Sequence, residues 1–587
     1  MPIKLIRIAS IQLTIGISVI SIFKAPQLYA QNTEVESYLD AGCEAVEQAD
    51  IMKAVRLFQS AVDACNSEAD GGLLHAQSLS FLAIILNEQG NFGQAEVVIR
   101  RALAIVEGHA ELEAASFVYV DVLARIKRRA GKPDEAEALE NKSKELQQAF
   151  SKKPSGVIVA VLTLVQFAKL YGALGHHSDA EPLLRLGLVV SKVQLGDDHI
   201  YTGVCNLLIA QSLSAQSRHE IAVPFYLAAQ AIFQKTKGEG ELQSITATEG
   251  LAVSLNSLGR VQQAEALLRK TIARRKELQG KESPEVAKGL FLLSATLIAQ
   301  NKFEDAMDHA RQAMEIVLKT YGPKHLIAAI YMKHYGVLCH SAGKLDVAQD
   351  YLERSLAIHE QQLGADAPAV ADILSSLALV SEFNDNGSVK DFLHGSERTR
   401  MLWERVVAIQ EKALGQDHPD TRQALEFLAH CYSFGFKPDV QVKVRKRLVE
   451  SDERISNVSA DVRCKHLSSL VSALGQQKKY SEAEPYAELA IRIQEAAFGR
   501  DYQKLPTSLS QLAWIYCEQG KYTLAEPLYK RSLQLFEKLT SADVMETIEQ
   551  TQIMTTYATL LRKLKRVEEA NKLELQIESI RKRVRDQ

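Results

Sequence analysis

The stretch Leu79-Ser80-Phe81-Leu82-Ala83-Ile84-Ile85-Leu86-Asn87-Glu88-Gln89-Gly90-Asn91-Phe92-Gly93-Gln94-Ala95-Glu96-Val97-Val98-Ile99-Arg100-Arg101-Ala102-Leu103 decides the fold of this chain. Leu79, Leu82, Ala83 and Leu86 fall on one helical face, with the three-and-four spacing of an amphipathic segment. Gly90 ends that helix, since glycine takes the left-handed C′ conformation without a Cβ clash. A second helix begins near Phe92 and buries Ala95, Ile99, Ala102 and Leu103. The small side chains of Ala83 and Ala95 let the two helices approach closely. The stretch therefore predicts one helix-turn-helix unit.

The unit repeats. Its second-helix alanine returns at Ala54, Ala95, Ala136, Ala180, Ala222, Ala264, Ala306, Ala348, Ala483, Ala525 and Ala570, and every step from Ala222 to Ala348 is 42 residues. The gap from Ala348 to Ala483 is 135 residues, three periods with nine left over. The turn glycine recurs at Gly131, Gly175, Gly259, Gly343 and Gly520. A small residue recurs on the first helix at Ala124, Ala168, Ala210, Ala252, Ser294, Gly336, Ala378, Ala429, Ala513 and Ala558. A fixed period of this length marks an array in which each unit packs on its neighbours. Such an array lets 587 residues fold without the several separate cores that the length otherwise demands. About thirteen units are predicted, the first around Ala54 serving as a cap. The last, around Ala570, runs into the charged end Arg581-Lys582-Arg583-Val584-Arg585-Asp586-Gln587, the polar face that a terminal repeat needs.

The linkers carry a second pattern. They read Leu195-Gly196-Asp197-Asp198-His199, Tyr321-Gly322-Pro323-Lys324-His325, Leu363-Gly364-Ala365-Asp366-Ala367-Pro368 and Leu414-Gly415-Gln416-Asp417-His418-Pro419. The glycine stops one helix and the Asp/His/Pro set starts the next. Ala180-Glu181-Pro182-Leu183 and Ala525-Glu526-Pro527-Leu528 are read as opening second helices, with proline in a first turn whose amides lack intrahelical partners. With these linkers and the helix Ala525-Glu526-Pro527-Leu528-Tyr529-Lys530-Arg531-Ser532-Leu533, the chain resembles the kinesin-light-chain class of 42-residue tetratricopeptide repeats from about residue 34 onward. The resemblance implies an all-α, right-handed α-solenoid whose first helices line a groove for an extended peptide or a helix. The commoner tetratricopeptide unit has about 34 residues, so each unit here gains about two helical turns, or roughly 12 Å of helix, or a longer linker. Kinesin light chains carry asparagines before the Leu-Ala pair, where this chain has Phe81, Val122, Gln166, Leu208, Gly250, Leu292 and Ser376. It departs again between Ala378 and Val406, where the frame gains nine residues near Phe383-Asn384-Asp385-Asn386-Gly387-Ser388, an exposed-loop composition. In the unit after it Gln441 replaces the alanine, and Pro438 lies near the helix start. The expected organisation is a leader over 1–30, an array over 31–382, a loop insertion over 383–395 and a second array with a capping helix over 396–587.

Lys4 and Arg7, the apolar run Ile8 to Phe23, Pro26 and Leu28-Tyr29-Ala30 read as the three parts of a secretory signal peptide cleaved before Gln31. The run is short for a membrane span; left uncleaved, it would tether the chain to a membrane. Export, periplasmic or extracellular, is the expectation, and it excludes a motor role. No later apolar stretch is long enough to span a bilayer. Net charge is −3, and loss of Lys4, Arg7 and Lys24 with the leader makes it −6, which argues against a nucleic-acid surface. Cys43, Cys65, Cys205, Cys339, Cys431, Cys464 and Cys517 are odd in number, widely spaced and without a CxxC, which favours buried free thiols over disulfides.

The sequence contains no GxSxG, HExxH, P-loop, GxGxxG, EF-hand loop or SxxK, so neither an enzyme nor a cofactor is predicted. His176-His177 lacks a third ligand, and His334 and His340 stand six apart on one helix without sharing a face. The resemblance places groove residues at positions 2, 5, 6, 9, 12 and 13 of each unit, with the alanine at 20. Arg125, Arg128 and Arg129 of the third unit and Lys169 of the fourth then form a candidate anion clamp. Asn256, Lys333, His340, His430 and Trp514 are further groove candidates. The expected function is an exported scaffold that binds a protein or peptide partner in the groove. A structural part of an envelope assembly and an enzyme of surface polysaccharide metabolism are the competing classes.

Overall fold

The computed structural model describes residues 33–47, 50–65, 72–152, 156–236, 240–384, 397–434, 437–456, 458–538 and 544–585. Among them are 26 helices, arranged as thirteen consecutive pairs, and no strand. In chain order the first eight pairs are α1 (Thr33–Glu47) and α2 (Ile51–Ala64), α3 (Leu73–Glu88) and α4 (Phe92–Gly108), α5 (Ser116–Arg129) and α6 (Pro133–Lys152), α7 (Val157–Ala173) and α8 (His177–Leu195), α9 (Ile200–Ala215) and α10 (His219–Lys235), α11 (Gly240–Ser257) and α12 (Val261–Gln279), α13 (Pro284–Ile298) and α14 (Phe303–Tyr321), and α15 (Leu326–Ser341) and α16 (Leu345–Leu363). The other five are α17 (Pro368–Asn384) and α18 (Glu397–Leu414), α19 (Pro419–Cys431) and α20 (Pro438–Arg454), α21 (Ala460–Gln476) and α22 (Tyr480–Phe498), α23 (Leu505–Glu518) and α24 (Tyr522–Lys538), and α25 (Val544–Lys563) and α26 (Val567–Arg585). The fold is an all-α solenoid of the expected number of units. It divides into two compact units, Met1–Leu363 and Gly364–Gln587. The leader, residues 385–395 of the insertion with residue 396 after it, and the last two residues lie outside the described residues.

Turns and caps set the helix limits. The predicted turn glycines are left-handed, for example Gly131 at φ 77° and Gly175 at φ 80°. Ser217, Asn301, Lys478 and Lys565 take the same conformation at φ 58–62° in turns that have no glycine, at a cost of about 1–2 kcal/mol each. The linker histidines are N-caps: Nδ1 of His199, His325 and His418 accepts the backbone N–H of Tyr201, Ile327 and Asp420 at 3.3, 3.1 and 3.3 Å. Ser283 and Ser459 do the same with a hydroxyl. One expectation fails here. Pro182 and Pro527, with Pro224 and Pro485, lie inside their helices instead of in the first turn. The turn residue starts each helix earlier than the proline alone implied.

Packing follows the repeat. The alanines at 95, 222, 264, 306, 348, 483, 525 and 570 are fully buried at the crossings within pairs. Between pairs, a carboxylate clasp recurs. Glu265, one residue after its alanine, takes Arg269 of its own helix at 2.8 Å, then Gln300 at 2.7 Å and Lys302 at 3.2 Å from the next turn. Glu181 takes Arg185, Gln216 and Arg218; Glu484 takes Gln519 and Lys521; Glu526 takes Lys530 and Arg566. Where the residue after the alanine is Met307, Lys344 turns to Glu304 instead, and Lys479 likewise takes Asp439. A second ladder joins the linker acid to the end of the following second helix, as in Asp198–Lys235 and Asp417–Arg454.

Candidate functional site

In unit 1, Met1–Leu363, the first-helix face is largely filled. First helices of successive pairs touch one another from α3 to α13, and α1 and α3 both reach α7. Many of the positions expected to line a groove hold buried apolar side chains, among them Phe81, Ile84, Val118, Val122, Leu162, Val165, Leu207, Leu208, Phe291 and Leu292. Phe81 packs between Phe58, edge-on, and Phe167, tilted, with ring centroids at 5.5 and 6.1 Å, and Tyr119 meets Phe167 edge-on at 5.4 Å. The asparagine positions that differ from kinesin light chains are thus mostly core.

The four cations of unit 1 do not converge on an open anion site. Arg125 donates to Asp121 at 3.0 Å and Asp179 at 2.6 Å and lies 5.3 Å over the Tyr171 ring. Arg128 reaches Glu140 of α6 at 2.6 Å, and Arg129 pairs with Glu88. Burial pulls Lys169 down to about 8, against the opposing pull of Cys43 and of Asp40 on α1. Asp40 is itself raised to about 6 by burial, with Lys169 opposing. Each arginine has a carboxylate partner, and three of the four carboxylates lie on other helices. Among the other candidates, Asn256, Lys333 and His340 are half-buried in unit 1, and Asn256 Oδ1 is buried with no hydrogen-bond partner among the described residues. His430 is exposed on α19 and Trp514 half-exposed on α23, both in unit 2, Gly364–Gln587. Seven of the nine candidates thus belong to unit 1 and two to unit 2.

Unit 2 presents a different face. In α21, α23 and α25 the corresponding positions carry Ser468, Ser469 and Ser472; Ser510, Gln511 and Trp514; Thr555, Thr556 and Thr559, all at least partly exposed, where α3, α9 and α13 bury Phe81 and Ile84, Leu207 and Leu208, and Phe291 and Leu292. Most of the hydroxyls donate back to their own helix, Ser469 to His466 O at 2.9 Å, Ser510 to Thr507 O at 3.0 Å and Thr555 to Thr551 O at 2.7 Å. Ser472 Oγ already receives Gln511 Nε2 at 3.2 Å; the remaining hydroxyl lone pairs can accept from outside. The Trp514 indole is seated by Gly475: a Cβ there would lie 2.4 Å from the ring. Tyr480 meets it edge-on at 5.6 Å. Sequence reading singled out Trp514 but passed over the hydroxyls, whose signal is the same residue class in register across three units.

Unit 2 also holds a buried charge network that went unread. His466 of α21 lies between Asp452 of α20 and Glu426 of α19, and Asp452 also takes Arg422. It belongs to the pair in which Gln441 replaces the alanine. Among the described residues no three His, Cys, Asp or Glu side chains group as a metal site, all seven cysteines are free thiols, and no helix is long and apolar enough to cross a membrane.

Tetratricopeptide repeat profiles match residues 39–110, 243–319, 309–361, 397–420 and 462–538. A plant relative, Protein KINESIN LIGHT CHAIN-RELATED 2 of Arabidopsis thaliana, is 22% identical over 271 residues, 43% of this chain. The match spans 37% of that relative's length. Among solved structures, kinesin light chain TPR-like repeats from Podosopora anserina align over 36% of this chain and 97% of theirs, at 20% identity and a TM-score of 0.32. BtubC (BKLC) from P. vanneervenii aligns over 50% of this chain and 94% of its own, at 18% identity and a TM-score of 0.30. With its thirteen helix pairs and repeat profiles over the segments given above, the chain is a tetratricopeptide repeat protein similar to the kinesin light chains.

Proposed function

We propose that the chain is an exported, non-catalytic scaffold that binds an extended protein segment on the first-helix face of unit 2. The supporting observation is a contrast between units: positions that bury Phe81, Ile84, Leu207, Leu208, Phe291 and Leu292 in α3, α9 and α13 carry exposed hydroxyls and an indole in α21, α23 and α25. Hydroxyl oxygens whose hydrogens are spent inward suit a partner rich in amide N–H, such as an uncharged extended backbone. The indole, preformed over Gly475, supplies a rigid apolar anchor of the kind that dominates interface energies. Export rests on the leader-like segment 1–30.

The test is a crosslinking pull-down with the full chain, from the exported fraction of its own host, using Trp514→Ala, the pair Thr555→Val with Thr559→Val, and Arg128→Glu. A partner held by the parent chain should weaken by roughly thirtyfold with Trp514→Ala, a hot-spot loss of about 2 kcal/mol. It should persist with Arg128→Glu. Loss with Arg128→Glu and retention with both unit 2 variants would return the site to unit 1 and refute this reading.

A further inference from the structure

Glu426 stands 42 residues before Ser468, so it extends the stripe Ser468, Ser510 and Thr555 onto the irregular pair α19–α20. It is fixed there by one histidine. His466 is 3% exposed, with Nδ1 2.7 Å from Asp452 Oδ2 and Nε2 2.9 Å from Glu426 Oε1. Asp452 is equally buried and also receives Arg422 of α19. Lys465, beside His466 on α21, reaches Glu426 at 2.6 Å. A neutral imidazole has one N–H and cannot donate to both carboxylates; with both carboxylates ionised, only the imidazolium makes both bonds.

We propose that His466 is a pH-sensitive latch on the unit 2 face, closed while the ring is charged and released when it loses its proton. This rests on the reading of that face as the binding surface. Loss of the proton would set a ring lone pair against a carboxylate oxygen less than 3 Å away in a buried place, an arrangement that must relax. Burial pulls the ring's pKa down, but the bonds to Asp452 and Glu426 more than reverse this and hold it above its ordinary value. The His466 bond in turn holds Glu426 well below the usual carboxylate range. The signs are fixed accordingly. The histidine's contribution is fully present below its unfolded pKa of about 6.5 and is lost as pH rises through the raised folded value. Glu426's contribution is lost on the acid side, as pH falls below its unfolded pKa of about 4.3. The latch is closed between these limits and opens toward alkali. Arg422 and Lys465 keep one partner on each carboxylate when it opens, so the expected change is local loosening of α20 and α21 with re-aiming of Glu426.

Hydrogen exchange of the full chain tests it, at about pH 6 and about pH 9, with rates corrected for the intrinsic pH dependence. In the parent chain, peptides from 438–454 and 460–476 should lose protection at the higher pH. The 505–518 helix should not change. His466→Gln should show the same low protection at both pH values. A parent chain without the change, or a variant that retains it, overturns the latch. If His466→Gln does not fold, ring-labelled histidine NMR of the parent chain replaces it. A buried histidine titrating above 6.5, lowered by Glu426→Gln, is the expected result, and a midpoint at or below 6.5 overturns the proposal. Partner binding that stays Trp514-dependent at both pH values while the latch tests fail would leave the function standing; binding indifferent to Trp514→Ala would remove the function whatever the latch does.

Discussion

Replacing Arg275 with methionine should open α11 to α13 without disturbing unit 2. Arg275 of α12 and Glu249 of α11 are 4% and 3% exposed, joined by two bonds, Nε to Oε1 at 2.7 Å and Nη2 to Oε2 at 3.0 Å. Glu249 occupies a predicted groove position, yet it is turned inward onto this guanidinium. Methionine keeps the stem's volume but strands a buried carboxylate, and breaking such a pair from one side costs about 3–5 kcal/mol. That corresponds to roughly a hundredfold to a few thousandfold in the local opening constant. A repeat array does not unfold as one two-state body, so the assay is hydrogen exchange resolved by helix, with α23 to α26 as internal control. Adding Glu249→Leu to Arg275→Met should recover most of the loss, because replacing both partners removes the stranded charge. The single variant should also regain stability as pH falls, since a buried unpaired carboxylate is neutral once protonated. A single variant within about 0.5 kcal/mol of the parent chain, or a double variant no better than the single, would refute the reasoning.

Three further outcomes are expected. Gly250→Ala would place a Cβ 2.3 Å from the ring of the fully buried Tyr226 and should cost about 1–3 kcal/mol by overpacking, read as a lowered melting temperature with the fold retained. Glu265 is lowered to about 2, first by its Arg269 bond, so its clasp should hold above the ordinary carboxylate range and fail as pH falls toward 2; in Glu265→Gln, exchange protection of α12 and α14 should be flat across that range. Burial lowers His199, so its cap is fully present above the unfolded value and is lost as pH falls through the lowered one; His199→Ser should abolish that dependence, while His199→Ala should cost about 1 kcal/mol at neutral pH, both read from amide exchange at the start of α9.

The number of units was legible because a helix crossing needs a small residue at one place, and that demand is local: Ala95, Ala264 and Ala525 each answer it within their own pair. The turns were legible at Gly131 and Gly175 but silent at Ser217 and Lys565, where a side chain accepts the strained conformation. The candidate site was not legible in the same way, since exposure of a first helix depends on units that come later in the chain. Phe81 looks like a groove residue until Phe167 arrives against it, and Arg125 looks like a free cation until Asp179 is brought to it. Trp514 was found by position alone, and its accessibility follows from Gly475 one unit before it. The clasps could have been read: Lys132, Arg218, Arg260, Lys302, Lys344, Lys479, Lys521 and Arg566 each stand four residues before a repeat alanine.

Those clasps constrain how the array can change in length. Glu181, Glu265 and Glu484 each meet a cation 37 residues downstream, and the basic residue recurs every 42 residues between Arg218 and Lys344. Excision or duplication of one whole period in that stretch presents the upstream unit with a cation where the old one stood, so the joint re-forms. A cut of any other size within a pair slides the cation off the carboxylate and turns the buried alanine away from its crossing. Gains and losses are thereby quantised: a lineage can lengthen or shorten this protein by entire units while almost every intermediate length is closed to it.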